Sequence, residues 1–539
     1  MSTNFVEKIS SNKFIEYIIL GAGPAGLQMG HHLEQSKRDY LILESGEHAG
    51  TFFKSFPRHR QLISINKYNT GSEDPEFNMR FDWNSLLSDN EDLLLKNYSK
   101  RFFPDADDFV TYLKDYAEHL KLKITYNTTI IKVKKDNGFT LTSDKGETYS
   151  CKYLIIATGV SKPYLPKIEG IELTENYANV SVDPNDFFNQ KVLIIGKGNS
   201  GFEVADGLMD TTSIIHVAGP KSIKMAWKTH YVGHLRAVNN NLLDTYQLKS
   251  LNAVLDVHID KIEKKDDKFH VSYRFVRADE AKKDVMYDRV ITCTGFRFED
   301  QMFDETCKPV LTINNRFPEQ SNEWESTNIS NMYFAGVLMH MRDFKKSTSG
   351  FIHGFRYNVK ALHRILEFKN HQTPWPCDVL KMVPEHLMQM VIQRVNITSA
   401  LWQQFGFLAD LITICDEDQE ARYYKEVPVD YISSSDLVKK CDSFFVLTLE
   451  YGPNHDQMDP FDVDVVRIKQ SATKNTNDSH YLHPVVRYYK NKEFVKEHHI
   501  VENLENEWFH KVHKEPLKEF FSEMIGVEQV TQINSMING

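Results

Sequence analysis

Two glycine-rich turns, each directly behind a short apolar run, limit this chain more than any other feature. They are Gly21-Ala22-Gly23-Pro24-Ala25-Gly26 and Gly196-Lys197-Gly198-Asn199-Ser200-Gly201. In such a turn the first glycine permits the tight bend, the second lets a pyrophosphate reach the backbone, and the third lets helix and strand pack closely. Tyr17-Ile18-Ile19-Leu20 and Lys191-Val192-Leu193-Ile194-Ile195 precede them. Runs that are apolar on both faces read as buried parallel strands. Helices are expected over 27–34 and 202–209, where free N–H groups and the helix dipole favour a negative pyrophosphate. The pair predicts two dinucleotides and an α/β fold with two Rossmann-like dinucleotide-binding domains.

The residues just behind each second strand separate the two cofactors. Beyond the first motif, Asp39-Tyr40-Leu41-Ile42-Leu43 ends at Glu44, where a carboxylate can accept hydrogen bonds from a ribose diol. That suits FAD. Beyond the second, Ser213-Ile214-Ile215-His216-Val217 runs into Ala218-Gly219-Pro220 with no acid, and Lys221, Lys224 and Lys228 lie close behind. Cations without a carboxylate suit a 2′-phosphate, hence NADPH over NADH.

Two further strands close the nucleotide units. Tyr153-Leu154-Ile155-Ile156-Ala157-Thr158-Gly159 and Arg289-Val290-Ile291-Thr292-Cys293-Thr294-Gly295 share one strand-to-glycine ending. The expected organisation is an FAD-binding domain over 1–160 and 296–370, an NADPH-binding domain inserted over 161–295, and a C-terminal α+β accessory domain over 371–539. Asn331-Met332-Tyr333-Phe334-Ala335-Gly336 is the expected returning strand, and 351–368 a helix starting near the flavin. In the C-terminal third, 382–411 reads as helical and 443–449, 463–468 and 485–489 as strands, with a polar loop over 474–478. An accessory sheet of this kind suits a substrate lid or a subunit contact, which leaves a homo-oligomer open.

Composition narrows the partners. A chain of 539 residues with 41% hydrophobic content can bury several cores. A net charge of -10 gives no basic excess for nucleic acid. The first sixteen residues lack the apolar core of a signal peptide, and no run nears the roughly eighteen apolar residues that span a bilayer. The expectation is a cytoplasmic protein that does not engage a membrane. Its six cysteines form no Cys-x-x-Cys pair, so no redox dithiol is suggested. His31-His32, His498-His499 and the His510, His513 pair lack companions at zinc or iron spacing, so no metal is assigned.

The GAGPAG motif, Ala49-Gly50-Thr51-Phe52, Ala157-Thr158-Gly159, GKGNSG and Cys293-Thr294-Gly295 together resemble the class B flavin monooxygenase group over roughly residues 14–368. Longer strings resemble a flavoprotein of the endoplasmic reticulum. They are Phe56-Pro57-Arg58-His59-Arg60, Leu62-Ile63-Ser64-Ile65-Asn66-Lys67, the stretch from Asp82 to Asp89, Thr229-His230-Tyr231-Val232-Gly233 and Leu482-His483-Pro484-Val485. The narrower flavin-containing monooxygenase fingerprint Phe-x-Gly-x-x-x-His is replaced by Tyr177, Asn179 and Asp183.

The resemblance implies an oxidoreductase in which NADPH reduces FAD and a flavin C4a-hydroperoxide passes one oxygen atom of dioxygen to a small-molecule substrate. The protein orients; the cofactor supplies the redox chemistry. It further implies that Asn66 lies over the flavin as a hydrogen-bond donor, although a turn-shaping role fits the same residue equally. His230 is the candidate acid or base. Trp83 with Asn84, and Trp227 with Thr229 and Tyr231, are candidate pocket walls. Cofactor contacts are expected from both glycine motifs, Glu44, Thr51, Phe52, Thr158, Gly159, Lys221, Lys224, Thr294, Gly295 and Gly336. Two other outcomes stay open: a flavin reductase donating electrons to a partner's disulfide, and a flavin-stabilised interaction module.

Overall fold

A computed structural model describes residues 14–415, 420–439, 441–472 and 476–526. The segment before Phe14, Lys474-Asn475 and the tail Ser535–Gly539, on which expectations rested, lie outside the described residues. The chain divides into two compact units. One holds the chain up to Tyr68 and Asn84–Met341; the other holds Asn69–Trp83 and everything from Arg342 onward.

The first unit contains two large sheets. One has the order β3 (Ile124–Thr125), β2 (Tyr40–Leu43), β1 (Phe14–Leu20), β6 (Thr148–Ile156), β5 (Phe139–Ser143), β4 (Ile130–Lys135), and β18 (Met332–Phe334) pairs with β6. β1 is parallel to both neighbours, so Ile19 faces Ile42 on one side and Ile155 on the other. Central position explains the unbroken apolar run: Tyr17, Ile18 and Ile19 are completely buried. Helix Pro24–Gln35 covers this sheet with Leu27, Met29 and Leu33, each worth roughly 1.5–3 kcal/mol of apolar burial. The returning strand falls where the sequence places it, with Tyr333 opposite Ile155.

The second sheet has the order β13 (Lys282–Tyr287), β12 (Lys268–Phe275), β11 (Ala253–Lys265), β10 (Ile214–Gly219), β9 (Lys191–Ile195), β14 (Arg289–Thr292), β8 (Glu175–Asn176). Its parallel centre, β10-β9-β14, packs on helix Asn199–Leu208 through Val192, Ile194, Phe202, Val204, Val217 and Ile291. The chain enters this sheet after β6 and returns to the first at β18. At the crossing, β7 (Lys162–Pro163) pairs antiparallel with β15 (Phe296–Arg297). β16 (Leu311–Thr312) and β17 (Phe317–Pro318) form a small hairpin.

The second unit places helix Ile352–His371 with a six-stranded antiparallel sheet of order β19 (Cys377–Lys381), β21 (Glu420–Pro428), β20 (Leu408–Cys415), β22 (Ser443–Glu450), β23 (His483–Lys490), β24 (Glu493–His499). Two sequence expectations are corrected there. The helical stretch 382–411 is helix Pro384–Ile397, a single turn Ala400–Gln403, and then the start of β20. Thr398 leaves the helical region with ψ 126° and Gly406 has φ +65°, so the chain reverses before Leu408; an apolar run buried on both faces reads equally as helix or strand. The segment 463–468 is irregular, not a strand. Asp459 Oδ1 accepts from Phe461 N and Asp462 Oδ1 from Asp464 N, and such local aspartate turns compete with strand pairing.

A charged network lies inside this sheet. Arg394 Nε donates to Asp410 Oδ2 at 2.7 Å, the Tyr423 hydroxyl donates to the same oxygen at 2.9 Å, and Glu426 N donates to Asp410 Oδ1 at 2.9 Å. Glu426 takes Lys360 at 2.8 Å and Arg364 at 3.1 Å. Burial pushes the Glu426 carboxyl up, but Lys360, Arg364 and Arg394 outweigh it and hold the group well below the usual carboxylate range.

Candidate dinucleotide sites

The two glycine turns are built to one plan. Gly21 has φ +100° and Gly196 φ +125°, a region that disfavours side chains. A Cβ on Gly21 would stand 2.8 Å from Ala157 O, and one on Gly196 2.2 Å from Cys293 O. The third glycines are closer still: a Cβ on Gly26 would lie 1.9 Å from Gly21 O, and on Gly201 2.1 Å from Gly196 O. The middle glycines differ. Around Gly23 and Gly198 a Cβ would meet nothing within 4 Å. Two glycines of each turn are thus demanded by packing, while the middle one keeps an open space at a helix N-terminus, where a pyrophosphate fits. Pro24 begins the first helix, at a position whose missing N–H costs nothing. Asn199 and Ser200 begin the second. Asn199 Nδ2 donates to His234 O at 2.9 Å and its Oδ1 accepts from Arg236 N at 3.0 Å, so this amide ties the 233–239 loop to the turn.

Glu44 stands where the sequence places the ribose acceptor. It is buried, and its carboxylate accepts from Ala22 N at 2.6 Å and from Gly46 N at 2.8 Å. The Ser45 hydroxyl also donates to it, at 3.4 Å; of a carboxylate's about four acceptor positions, capacity remains for a ribose hydroxyl. Thr51 Oγ1 donates to His48 O at 2.8 Å, and Phe52 is exposed. At the end of β6 the buried Thr158 hydroxyl has no partner among the described residues, and Gly159 has φ +67°. Gly336 comes so near the cradle helix that a Cβ would lie 2.6 Å from Ala25 Cβ. An open cradle, a positioned carboxylate and an unsatisfied hydroxyl fit an adenine dinucleotide with an unphosphorylated ribose.

The catalytic candidates are placed otherwise. Asn66 is buried, and its amide donates to Ser99 O at 2.8 Å and Arg101 O at 3.3 Å. Both of these bonds go to the 99–102 loop. His230 ends helix Ala226–Thr229 in the left-handed region, φ 58°. The neighbouring Tyr231 makes a hydrogen bond, 2.9 Å from its hydroxyl to His340 Nε2, with the two rings parallel at 5.7 Å. Sequence alone offers no signal for that pair, since 109 residues separate its members. Trp83 lies in the second unit, stacked on His353 at 4.4 Å. Asn84 lies in the first, where its Nδ2 donates to Ile65 O at 3.1 Å and Ser64 donates to its Oδ1. Trp227 is exposed.

At the second cradle, Thr294 Oγ1 donates to Tyr164 O, and Gly295 has φ +85° beside Arg316. Lys221 and Lys224 are exposed and carry no ion pair among the described residues. Lys197, inside the turn, is ion-paired to Asp256.

The Phe56–Arg60 string joins the two nucleotide domains. His59 N donates to Glu203 Oε1 at 2.8 Å, Arg58 Nη2 donates to Val180 O at 2.7 Å, and the Tyr177 hydroxyl donates to Glu203 Oε2 at 2.6 Å. Glu203 belongs to the second cradle helix. Burial, then the Glu203 charge, raise the Tyr177 hydroxyl far above its ordinary value.

The cysteines of this unit are packing groups. Cys151 and Cys307 are fully buried and Cys293 nearly so. Burial pushes the Cys307 thiol up to about 11 and raises the other two further, whereas a reactive cysteine needs a depressed value. Among the described residues no group of three or more His, Cys, Asp and Glu is arranged to hold a metal, and no helix is long and apolar enough to cross a membrane.

Comparison with known proteins agrees with this geometry. Residues 18–336 match the family model described as pyridine nucleotide-disulphide oxidoreductase. FAD-dependent oxidoreductase domain-containing protein 2 of Mus musculus is 37% identical over 96% of this chain and 85% of its own length. Among solved structures, a flavin-containing monooxygenase from Stenotrophomonas maltophilia covers 66% of this chain and 100% of its own at TM-score 0.52 and 16% identity. Bacillithiol disulfide reductase from Staphylococcus aureus covers 67% and 100% at TM-score 0.51 and 20% identity. These two show a shared fold of paired dinucleotide-binding domains. The strings between Phe56 and Val485 that resembled one flavoprotein thus meet a relative that spans the chain, and the chain belongs to the pyridine nucleotide-disulphide oxidoreductase family as an FAD- and NAD(P)H-dependent oxidoreductase.

Proposed function

We propose that this chain is an NADPH-dependent FAD monooxygenase acting on a small organic molecule with a nitrogen, sulfur or carbonyl centre. FAD belongs in the Gly21–Gly26 cradle with Glu44 on its ribose, and NADPH in the Gly196–Gly201 cradle. With FAD bound there, the flavin would supply the redox chemistry, with NADPH as the two-electron reductant and dioxygen as the oxidant and oxygen donor. The chain contributes the cradles, the orientation and the clamp from Phe56–Arg60 to Glu203 that holds one nucleotide domain against the other.

One observation carries the choice of acceptor. The three cysteines of the nucleotide-binding unit are buried with raised thiols, so they are poorly suited to relay electrons by thiol exchange. That favours dioxygen as the acceptor. The scatter of cysteines in the sequence also suits a reducing, cytoplasmic setting.

The test is anaerobic reduction of the purified yellow protein by NADPH, followed by air with amines, sulfides or ketones. Substrate-dependent oxygen uptake, with one product oxygen derived from labelled dioxygen, is the expected result. Electron transfer to a disulfide under nitrogen would replace this reading with a reductase, and a flavin that NADPH does not bleach would remove the enzyme reading altogether.

A further inference from the structure

A nicotinamide dinucleotide with a phosphate on its adenosine ribose is told from one without it just past the strand that succeeds the cradle helix. In this chain that place is the end of β10, where Ala218-Gly219-Pro220 supplies no acid. The acid beside it is Asp256 of β11, in register with Gly219. Asp256 does not face the site alone. Lys197 Nζ is ion-paired to its Oδ1, and Arg277 Nε stands 3.2 Å from its Oδ2.

Arg277 comes from far along the chain. It lies on the turn between β12 and β13, and that turn is pinned where Val276 N donates to Asp256 O at 2.9 Å. Its Nη2 donates to the hydroxyl of Ser222, 55 residues earlier and two beyond Pro220. The hairpin therefore delivers a guanidinium to the segment after β10. The side chain is 64% exposed, and a guanidinium has five N–H donors, of which Asp256 and Ser222 take two.

We propose that Arg277, steadied by Asp256 and flanked by Ser222, reads the 2′-phosphate of NADPH. The proposal rests on reading the second cradle as the nicotinamide dinucleotide site. Lys197 is excluded as the reader because its side chain is only 5% exposed and its charge is paired. Lys221 and Lys224 are exposed point charges on flexible stems, which strengthen the local positive field; Arg277 alone presents a fixed fork that matches phosphate geometry. Two cations against one acid leave a positive surplus at this point. An unphosphorylated ribose offers that surplus nothing.

The test is calorimetric titration of the full-length, flavin-loaded protein with NADPH, NADH and 2′,5′-ADP, for wild type, Arg277→Ala, Arg277→Lys and Lys221→Ala. Arg277→Ala is expected to weaken NADPH and 2′,5′-ADP by on the order of ten- to a hundred-fold and to leave NADH within about two-fold. Arg277→Lys should regain part of the loss, and Lys221→Ala should cost about three-fold or less. If wild type prefers NADPH and Arg277→Ala keeps that preference, Arg277 is not the reader. If wild type binds NADH as tightly as NADPH, no 2′-phosphate is read and the proposal falls while the cradle reading stands; if it binds neither, the reading of the second cradle fails first and the proposal falls with it.

Discussion

The middle glycine of the second cradle gives the sharpest test of the dinucleotide reading. Gly198 has φ -105° and ψ -174°, an extended backbone that alanine adopts freely, and a Cβ there would meet nothing within 4 Å. Gly198→Ala should therefore fold normally and gain about 0.4–1 kcal/mol from a less flexible unfolded chain. The added methyl occupies the space through which a pyrophosphate reaches the helix N-terminus, so NADPH should bind at least about ten-fold more weakly, roughly 1.4 kcal/mol or more. Gly201→Ala inverts the pattern. Its Cβ would stand 2.1 Å from Gly196 O, a backbone atom that cannot yield without moving the helix; overpacking of this kind costs about 1–3 kcal/mol. Denaturant midpoints, FAD content and NADPH titration of both variants separate the two effects. A Gly198→Ala protein that binds NADPH like wild type would show that no pyrophosphate approaches this turn, and the proposed function would lose its base.

Other perturbations draw on the same geometry. Glu44→Gln turns an acceptor-only group into an amide facing Ala22 N and Gly46 N, so purified protein should carry markedly less flavin per chain, read from its visible absorbance, with NADPH binding retained. Arg394→Met strips the buried Asp410 of its partner and should cost about 3–5 kcal/mol, measured by chemical denaturation. Glu426 has a folded value below its unfolded one, so its contribution to stability is complete above about pH 4.5 and is lost as pH falls through the lower, folded value; Glu426→Gln should flatten that acid limb of the stability profile. Glu203→Ala removes the acceptor of both His59 N and Tyr177, and hydrogen exchange at 56–60 should speed up without loss of FAD.

The parts of this molecule that were legible in sequence are those fixed by local rules. The strand, glycine turn and helix of each cradle can be read because a buried parallel strand must be apolar on both faces and because packing forbids a side chain at Gly26 and Gly201. Glu44 was legible for a related reason: its position depends on the length of the preceding helix and strand. Where burial is two-sided but the element type is free, the reading failed, as at Leu408, which begins a strand at the end of an expected helix. At 463–468 the valines and aspartate mimicked a strand, but Asp459 and Asp462 just before it accept from backbone N–H groups two residues on and turn the chain. Arg277, His340 and Glu203 left no trace in sequence at all. Each acts on a partner more than fifty residues away, and only the folded chain brings such pairs together.

That last group has a common meaning. Within the first unit, the links between the nucleotide domains are side-chain contacts of residues distant in sequence: Glu203 with the Phe56–Arg60 loop, and Tyr231 with His340 in the segment beyond Gly336. Phe56 adds apolar contact, its ring 5.6 Å from Tyr177 and 5.3 Å from Phe296. The cradles alone would bind two dinucleotides in any relative orientation. Hydride transfer needs the reacting atoms within about 3–3.5 Å, a condition on the relation between the domains, and these contacts set that relation. The string Phe56-Pro57-Arg58-His59-Arg60 thus acts through the helix that starts at the second cradle: the loop holds Glu203, and with it that helix, against the first nucleotide domain.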